Sequence, residues 1–298
     1  MLNIGCAVQD WQVAGRRVVL GYADREVYRE NPGSLGAVVG RLANRTGFGR
    51  FEMDGQTYHL PVAPGAQHSA HGGPRGLGKQ IWQMEQECES AVVLRLRSPD
   101  GQAGYPGNVD FTVRMTLRDH ALTWDMTATP DRTTPIALCQ HVYFNLACES
   151  VRDHRLRVAA KAFTPVDDTL LPTGEILPVA GTRNDFRTGV RLSDNDPAGL
   201  GYDVNLALAN GDGVKAEVQA NDLRLRLWTD QAGLQIYTAG NLKQAAEPLP
   251  GQQLGPWSGL CLEAQAFPNT VNTPGFGSVL CTPDAPYRQV TKVEIKPS

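Results

Sequence analysis

Short runs in which apolar and polar residues alternate recur along the whole chain. Val93-Leu94-Arg95-Leu96-Arg97 is one, and residues 111–117, 154–158, 223–227 and 290–295 repeat the theme. Alternation with a period of two sends one set of side chains to a buried face and the other to water, which is the pattern of a half-buried strand. Turn-forming clusters separate the runs, and Asn210-Gly211-Asp212-Gly213 has the composition of a hairpin break. Helical periodicity is scarce, and the one short helix expected lies near residues 24–30. Many short strands with little helix predict an all-β chain folded as a large β-sandwich or barrel. No linker, repeat or low-complexity tract interrupts it, so a single domain over residues 1–298 is expected.

Composition narrows the function. A hydrophobic content of 41% supports a real core. A net charge of −3 argues against an unspecific nucleic-acid binder, which carries a basic excess. No run approaches the 18 or so apolar residues of a spanning helix, so no membrane partner is expected. Met1-Leu2-Asn3-Ile4-Gly5-Cys6 has no basic patch followed by an apolar stretch, so no secretory signal is read. The six cysteines are scattered without a CxxC pair and read as reduced, mostly buried small hydrophobes, which fits a cytoplasmic location.

Four segments combine polar residues with apolar or glycine-rich surroundings: residues 40–45, 68–73, 140–146 and 259–265. His141 lies between the apolar run 135–139 and Tyr143-Phe144, where a half-buried imidazole suits a general acid; the alternative is a core histidine satisfied by a carbonyl. Glu263 follows Leu260-Cys261-Leu262, and a carboxylate beside such a run is costly to bury unless paired or used; the alternative is an outward-facing strand residue. His71 precedes Gly72-Gly73, small residues that let a ligand approach the backbone, unless it is simply a turn histidine. Arg45 offers a forked donor to hydroxyls, or lies on the surface.

Other motifs fail. Residues 73–79 have the spacing of a phosphate-cradling loop, but Gln80 stands where Ser or Thr would hold magnesium. His68 and His71 lack a third ligand, so no metal is expected. No Gly-x-Ser-x-Gly elbow is present.

Taken in order, the segments resemble the aldose 1-epimerase (galactose mutarotase) family. Gly36-Ala37-Val38-Val39-Gly40-Arg41-Leu42-Ala43-Asn44-Arg45 is similar to the family's G-A-x-x-G-R-x-A-N-R segment. His71-Gly72-Gly73 is similar to its L-H-G-G region, and Gly104-Tyr105-Pro106-Gly107 to its G-Y-P-G loop. His141-x-Tyr143-Phe144-Asn145-Leu146, Gly201-Tyr202-Asp203-x-Asn205, Gln235-x-Tyr237-Thr238 and Cys261-Leu262-Glu263-x-Gln265 continue the series. The likeness begins near Ile4, without the first strand of typical members, and runs to the end of the last motif.

The resemblance implies the family's large β-sandwich and an isomerase that interconverts the α and β anomers of a free aldohexose such as galactose or glucose, without a cofactor. It implies His141 as general acid, protonated at the outset, and Glu263 as general base. Asn44, Arg45, His71, Asp203 and Gln235 match sugar-binding positions. An aromatic platform for the sugar's C–H face is expected from Trp82, Tyr143 or Phe267. The partner is a small sugar, and the chain acts as monomer or homodimer. Departures fall at Gln140, Val142, Val204, His68, Ala239 and Ala266, and they bear on sugar preference. Two rivals stand beside this reading. One is an epimerase of hexose 6-phosphates, for which Arg41, Arg75 and Lys79 would supply cations. The other is a sugar-binding protein without catalysis on the same fold.

Overall fold

In a computed structural model describing residues 1–298, all five alternating runs fall in one antiparallel sheet. Its nine strands lie in the order Val190–Arg191, Arg155–Val158, Ala216–Ala220, Leu223–Thr229, Tyr287–Pro297, Ala121–Pro130, Val109–Arg118, Ala91–Ser98 and Gln83–Cys88. A second antiparallel sheet has six strands in the order Tyr143–Phe144, Leu260–Gln265, Gly233–Tyr237, Asp203–Leu208, Ala160–Thr164 and Leu177–Pro178. The architecture is the expected β-sandwich. The helix expected near residues 24–30 is a 3-10 turn over Arg25–Arg29, capped by the Asp24 carboxylate on the Glu26 N–H. The one α-helix spans only Leu192–Asn195.

The cluster at residues 210–213 is not a hairpin. The strands it joins, Asp203–Leu208 and Ala216–Ala220, belong to different sheets, so this loop carries the chain across the sandwich. The Lys215 ammonium closes it by donating to the carbonyls of Ala209 and Gly211.

The core lies between the sheets. Phe111, Trp124, Met126, Leu225 and Ile295 from the nine-stranded sheet meet Leu206, Leu234, Ile236, Leu260 and Leu262 from the six-stranded one, all in one buried cluster. Each such side chain contributes about 1.5–3 kcal/mol by leaving water. The pleat then fixes the opposite face. With Leu260, Leu262 and Ala264 turned into the core, Cys261 and Glu263 face the other way. By the same rule Leu234 and Ile236 send Gln235 and Tyr237 outward, and Leu206 sends Asp203 and Asn205. A row of polar side chains therefore sits on the outer face of the six-stranded sheet. No helix is long and apolar enough to cross a membrane.

Candidate active site

On that outer face a cavity of about 190 Å³ is lined by Asn44, Arg45, His71, His141, Tyr143, Asp203, Tyr237 and Glu263, and its rim is formed by residues 32–34, Ala70, Asn241 and Leu242. Six of the seven residues singled out in the sequence meet there.

His141 occupies the step between the short strands Cys139–Gln140 and Tyr143–Phe144. Its backbone is tied on both sides: its N–H donates to the Ala37 carbonyl at 2.8 Å, and its carbonyl accepts from the Gly36 N–H at 2.9 Å. Tyr143 pairs with Cys261 across the strands, which sets His141 beside Glu263. His141 Nε2 stands 3.6 Å from Glu263 Oε1, with 6% and 2% of the side chains exposed.

Burial dominates the electrostatics of this pair. It pushes the Glu263 carboxyl up to about 8, helped by the nearby Asp203 charge and opposed by the Cys139 thiol and Arg45. It pulls the His141 imidazole down to about 4. Both shifts favour neutral forms. In the free site burial therefore favours a protonated Glu263 beside a neutral His141, whereas the resemblance implies a proton on His141 at the outset.

His71 is held by the pairing of Arg45–Thr46 with Ser69–Ala70. Its N–H donates to the Asn44 carbonyl at 3.0 Å, and its Nδ1 accepts the Asn44 N–H at 3.3 Å. Burial, with the neighbouring His141 and Arg45, keeps the ring well below the ordinary imidazole range. A neutral ring whose Nδ1 accepts must carry its hydrogen on Nε2, so His71 is a donor. His71, His141 and Glu263 bring ligand-capable atoms within 4.8 Å of one another, a spacing that a metal ion would suit. The tautomer of His71 does not suit one, because its Nε2 has no lone pair to give. The Gly72 position follows from the backbone, not from ligand access: a Cβ there would lie 1.9 Å from the Gly40 carbonyl oxygen, at φ +81°.

Across the cavity Arg45 and Asp203 meet at 3.3 Å, each side chain 23% exposed. Gln235 is the seventh candidate, and it stands behind this pair, not in the wall. Its Nε2 donates to Asp203 Oδ1 at 2.6 Å, and its buried Oε1 has no protein partner.

Of the expected aromatic platform, only Tyr143 is at the site. Trp82 is a core residue, its Nε1 donating to the Leu77 carbonyl and its ring against Phe111. Phe267 packs on Phe276. Tyr237, overlooked in the sequence, takes part with Tyr143, the two ring centroids 6.1 Å apart. The signal was available: Tyr237 is two residues from Gln235 and shares its strand face. The departures near the motifs lie behind the site. Val142 is in the core, and Gln140 bridges the Leu262 carbonyl and the Val142 N–H. Val204 packs against the core, and His68 accepts from Phe48 N–H and meets Thr169.

Two of the three cations proposed for a phosphate are committed elsewhere. Arg41 is 2% exposed and donates to Ser98, Pro106 and Gly107. Lys79 donates to the carbonyls of Glu30 and Asn31. Neither lines the cavity, nor does the exposed Arg75.

The family model described as aldose 1-epimerase matches residues 1–294. A galactose mutarotase of Rattus norvegicus is 38% identical, with 98% of this chain and 89% of that protein covered. An aldose 1-epimerase of Escherichia coli (strain K12) is 35% identical, covering 94% and 85%. Among solved structures, an aldose epimerase homologue from C. elegans superimposes with a TM-score of 0.93 at 26% identity, covering 99% of this chain and 94% of that one. A galactose 1-epimerase from Lactobacillus acidophilus gives 0.87 at 28% identity, covering 99% and 90%.

Proposed function

The chain belongs to the aldose 1-epimerase family and is an isomerase, and from that premise we propose that its residues 1–298 act as one catalytic domain that interconverts the α and β anomers of a free aldohexose such as galactose or glucose. The observation that carries the reading is the buried His141–Glu263 pair, an imidazole and a carboxyl 3.6 Å apart in a polar cavity.

Anomer exchange needs two proton transfers and one rotation. Glu263, as carboxylate, takes the proton of the C1 hydroxyl while His141, as imidazolium, protonates the ring oxygen. The C1–O5 bond breaks and the open aldehyde forms. Rotation about C1–C2 turns the other carbonyl face to the O5 hydroxyl. Glu263 then returns its proton to the carbonyl oxygen as His141 takes the one on O5. After ring opening the pair is a carboxylic acid beside a neutral imidazole, which is the arrangement that burial already favours. The site is thus matched to the open-chain intermediate, and the cyclic sugar must draw the proton from Glu263 to His141 when it binds. Each transfer contributes roughly 10²–10⁴-fold.

His71 donates through Nε2 to a sugar oxygen, and Arg45 and Asp203 bind hydroxyls as donor and acceptor. Asn44 orients His71 and Arg45: its N–H meets His71 Nδ1 and its Oδ1 accepts the Arg45 N–H at 2.8 Å. Gln235 acts through Asp203. A free sugar is favoured over a phosphorylated one because the only cation in the cavity wall, Arg45, is paired with Asp203.

The test is polarimetry on freshly dissolved α-D-galactose and α-D-glucose at low temperature, with and without protein. Faster approach to the same final rotation is expected. Binding of either sugar without any acceleration would leave the non-catalytic reading in its place, and acceleration only with sugar 6-phosphates would establish the phosphosugar one.

A further inference from the structure

Two of the six cysteines touch the acid–base pair, and they do so at the atoms turned away from the contact between Glu263 Oε1 and His141 Nε2. Cys139, on the strand Cys139–Gln140, is fully buried, and its Sγ lies 3.4 Å from Glu263 Oε2. Cys261, on the strand Leu260–Gln265, is also fully buried, and its Sγ lies 3.6 Å from His141 Nδ1. The atoms facing each other across the pair are the remaining two, Glu263 Oε1 and His141 Nε2. Each catalytic side chain therefore has one polar atom on a sulfur and one free for proton exchange.

We propose that Cys139 and Cys261 are positioning residues of the acid–base pair, Cys139 by donating its S–H to Glu263 Oε2 and Cys261 by partnering His141 Nδ1. A thiol suits both places because it is a weak donor and a weak acceptor. It satisfies a buried oxygen or nitrogen without adding a charge. A carboxylate on His141 Nδ1 would lock the proton on the ring, and a lysine on Glu263 would strip the proton from it. The sulfur can accept from Nδ1–H when the ring is charged, so the ring gives and takes its proton at Nε2. Burial pushes both thiols well above their ordinary range, so they remain S–H at neutral pH. The other titratable and charged groups lining the cavity with Glu263 are His141, His71, Asp203, Arg45, Tyr143 and Tyr237, and none of these donates to Oε2.

This inference rests on Glu263 as the base, and the experiment separates the two. The pH profile of kcat/KM is measured for the parent, Cys139→Ala and Cys139→Ser, and the S–H infrared band of Cys139 is followed against pH in the parent and in Glu263→Gln. Removing the donor makes the carboxylate harder to form. The alkaline limb in Cys139→Ala is therefore expected to move up by roughly half to one pH unit, with KM little changed. Cys139→Ser, which keeps a donor, is expected to hold the parental limb. In the parent the S–H band is expected to shift as Glu263 titrates, a readout that does not depend on how well the alanine variant folds. An S–H band insensitive to pH, together with a Cys139→Ala profile that overlies the parent, overturns the inference. A fully active Glu263→Gln whose Cys139 band no longer responds to pH overturns Glu263 as base, and with it the catalytic role of Cys139, while the contact itself stands.

Discussion

Gln235 donates a 2.6 Å hydrogen bond to Asp203 Oδ1, on the side of the carboxylate away from its 3.3 Å contact with Arg45 through Oδ2. The Asp203 carboxylate is thus gripped at both oxygens, and a sugar hydroxyl meets an acceptor that cannot swing. Gln235 is buried beneath the wall, so its effect on the sugar passes through Asp203. Gln235→Leu is expected to lower kcat/KM about tenfold, in keeping with the roughly 1–3 kcal/mol cost of a lost buried partner, and to do so mainly through KM. Steady-state polarimetry on galactose and glucose reads this directly. A fall in kcat at constant KM would mean that Gln235 meets the reacting atoms.

Glu263→Gln and His141→Asn are each expected to reduce kcat by about 10²–10⁴-fold while leaving the fold intact. Because the two side chains trade a single proton, the losses should not add: the double variant is expected to be little worse than either single one. Near-normal turnover in Glu263→Gln would remove the base from the mechanism.

The pH dependence follows from which proton state is competent. Between about 4, where His141 titrates, and about 8, where Glu263 titrates, the pair holds the one proton that ring opening needs. Below that window His141 gains a second proton and no base remains. Above it Glu263 loses the last one and no acid remains. The profile of kcat/KM is therefore expected to be a broad plateau with an acid limb near 4 and an alkaline limb near 8, both belonging to the pair. Rate measurements in a buffer series, corrected for spontaneous mutarotation, would show it. A single rise near pH 6.5, that of an ordinary imidazole, would contradict the buried neutral pair.

What could be read from the chain divided along the two sheets. All five alternating runs lie in the nine-stranded sheet, where apolar residues face the core and charged ones such as Arg95, Arg97 and Arg114 face water. The six-stranded sheet was legible only through its motifs. Leu260–Gln265 is buried at every position, so alternation is lost there even though its two faces differ, one in the core and one in the site. For the same reason Cys139 and Cys261 read as filler: nothing in sequence distinguishes a thiol against Leu from a thiol against a carboxylate. Trp82 and Phe267 were drawn to the site by residue type alone, and type does not say which side of a strand or loop an aromatic ring will face. His141, Glu263, His71 and Arg45 were legible as polar residues set in apolar or glycine-rich segments, and Asn44 and Asp203 through the family resemblance alone; the six become partners or neighbours of one another.

Arg41 gives the sharpest separation between structure and substrate. Its guanidinium is buried, held near 10 by desolvation, and donates to Ser98 Oγ and to the carbonyls of Ser98, Pro106 and Gly107. Those carbonyls belong to the loop at residues 98–107, which without the guanidinium would be left with buried, unpaired oxygens. Arg41→Met is therefore expected to destabilise the fold by several kcal/mol, since each buried oxygen left without a donor costs roughly 1–3 kcal/mol. Urea denaturation would show a lower midpoint with an unchanged slope. The KM for free sugar in the folded enzyme should not change, since Arg41 lies outside the cavity wall. A variant that kept its stability but lost the turnover of a sugar 6-phosphate would instead make Arg41 a phosphate ligand, and the preference for unphosphorylated sugars would fall with it.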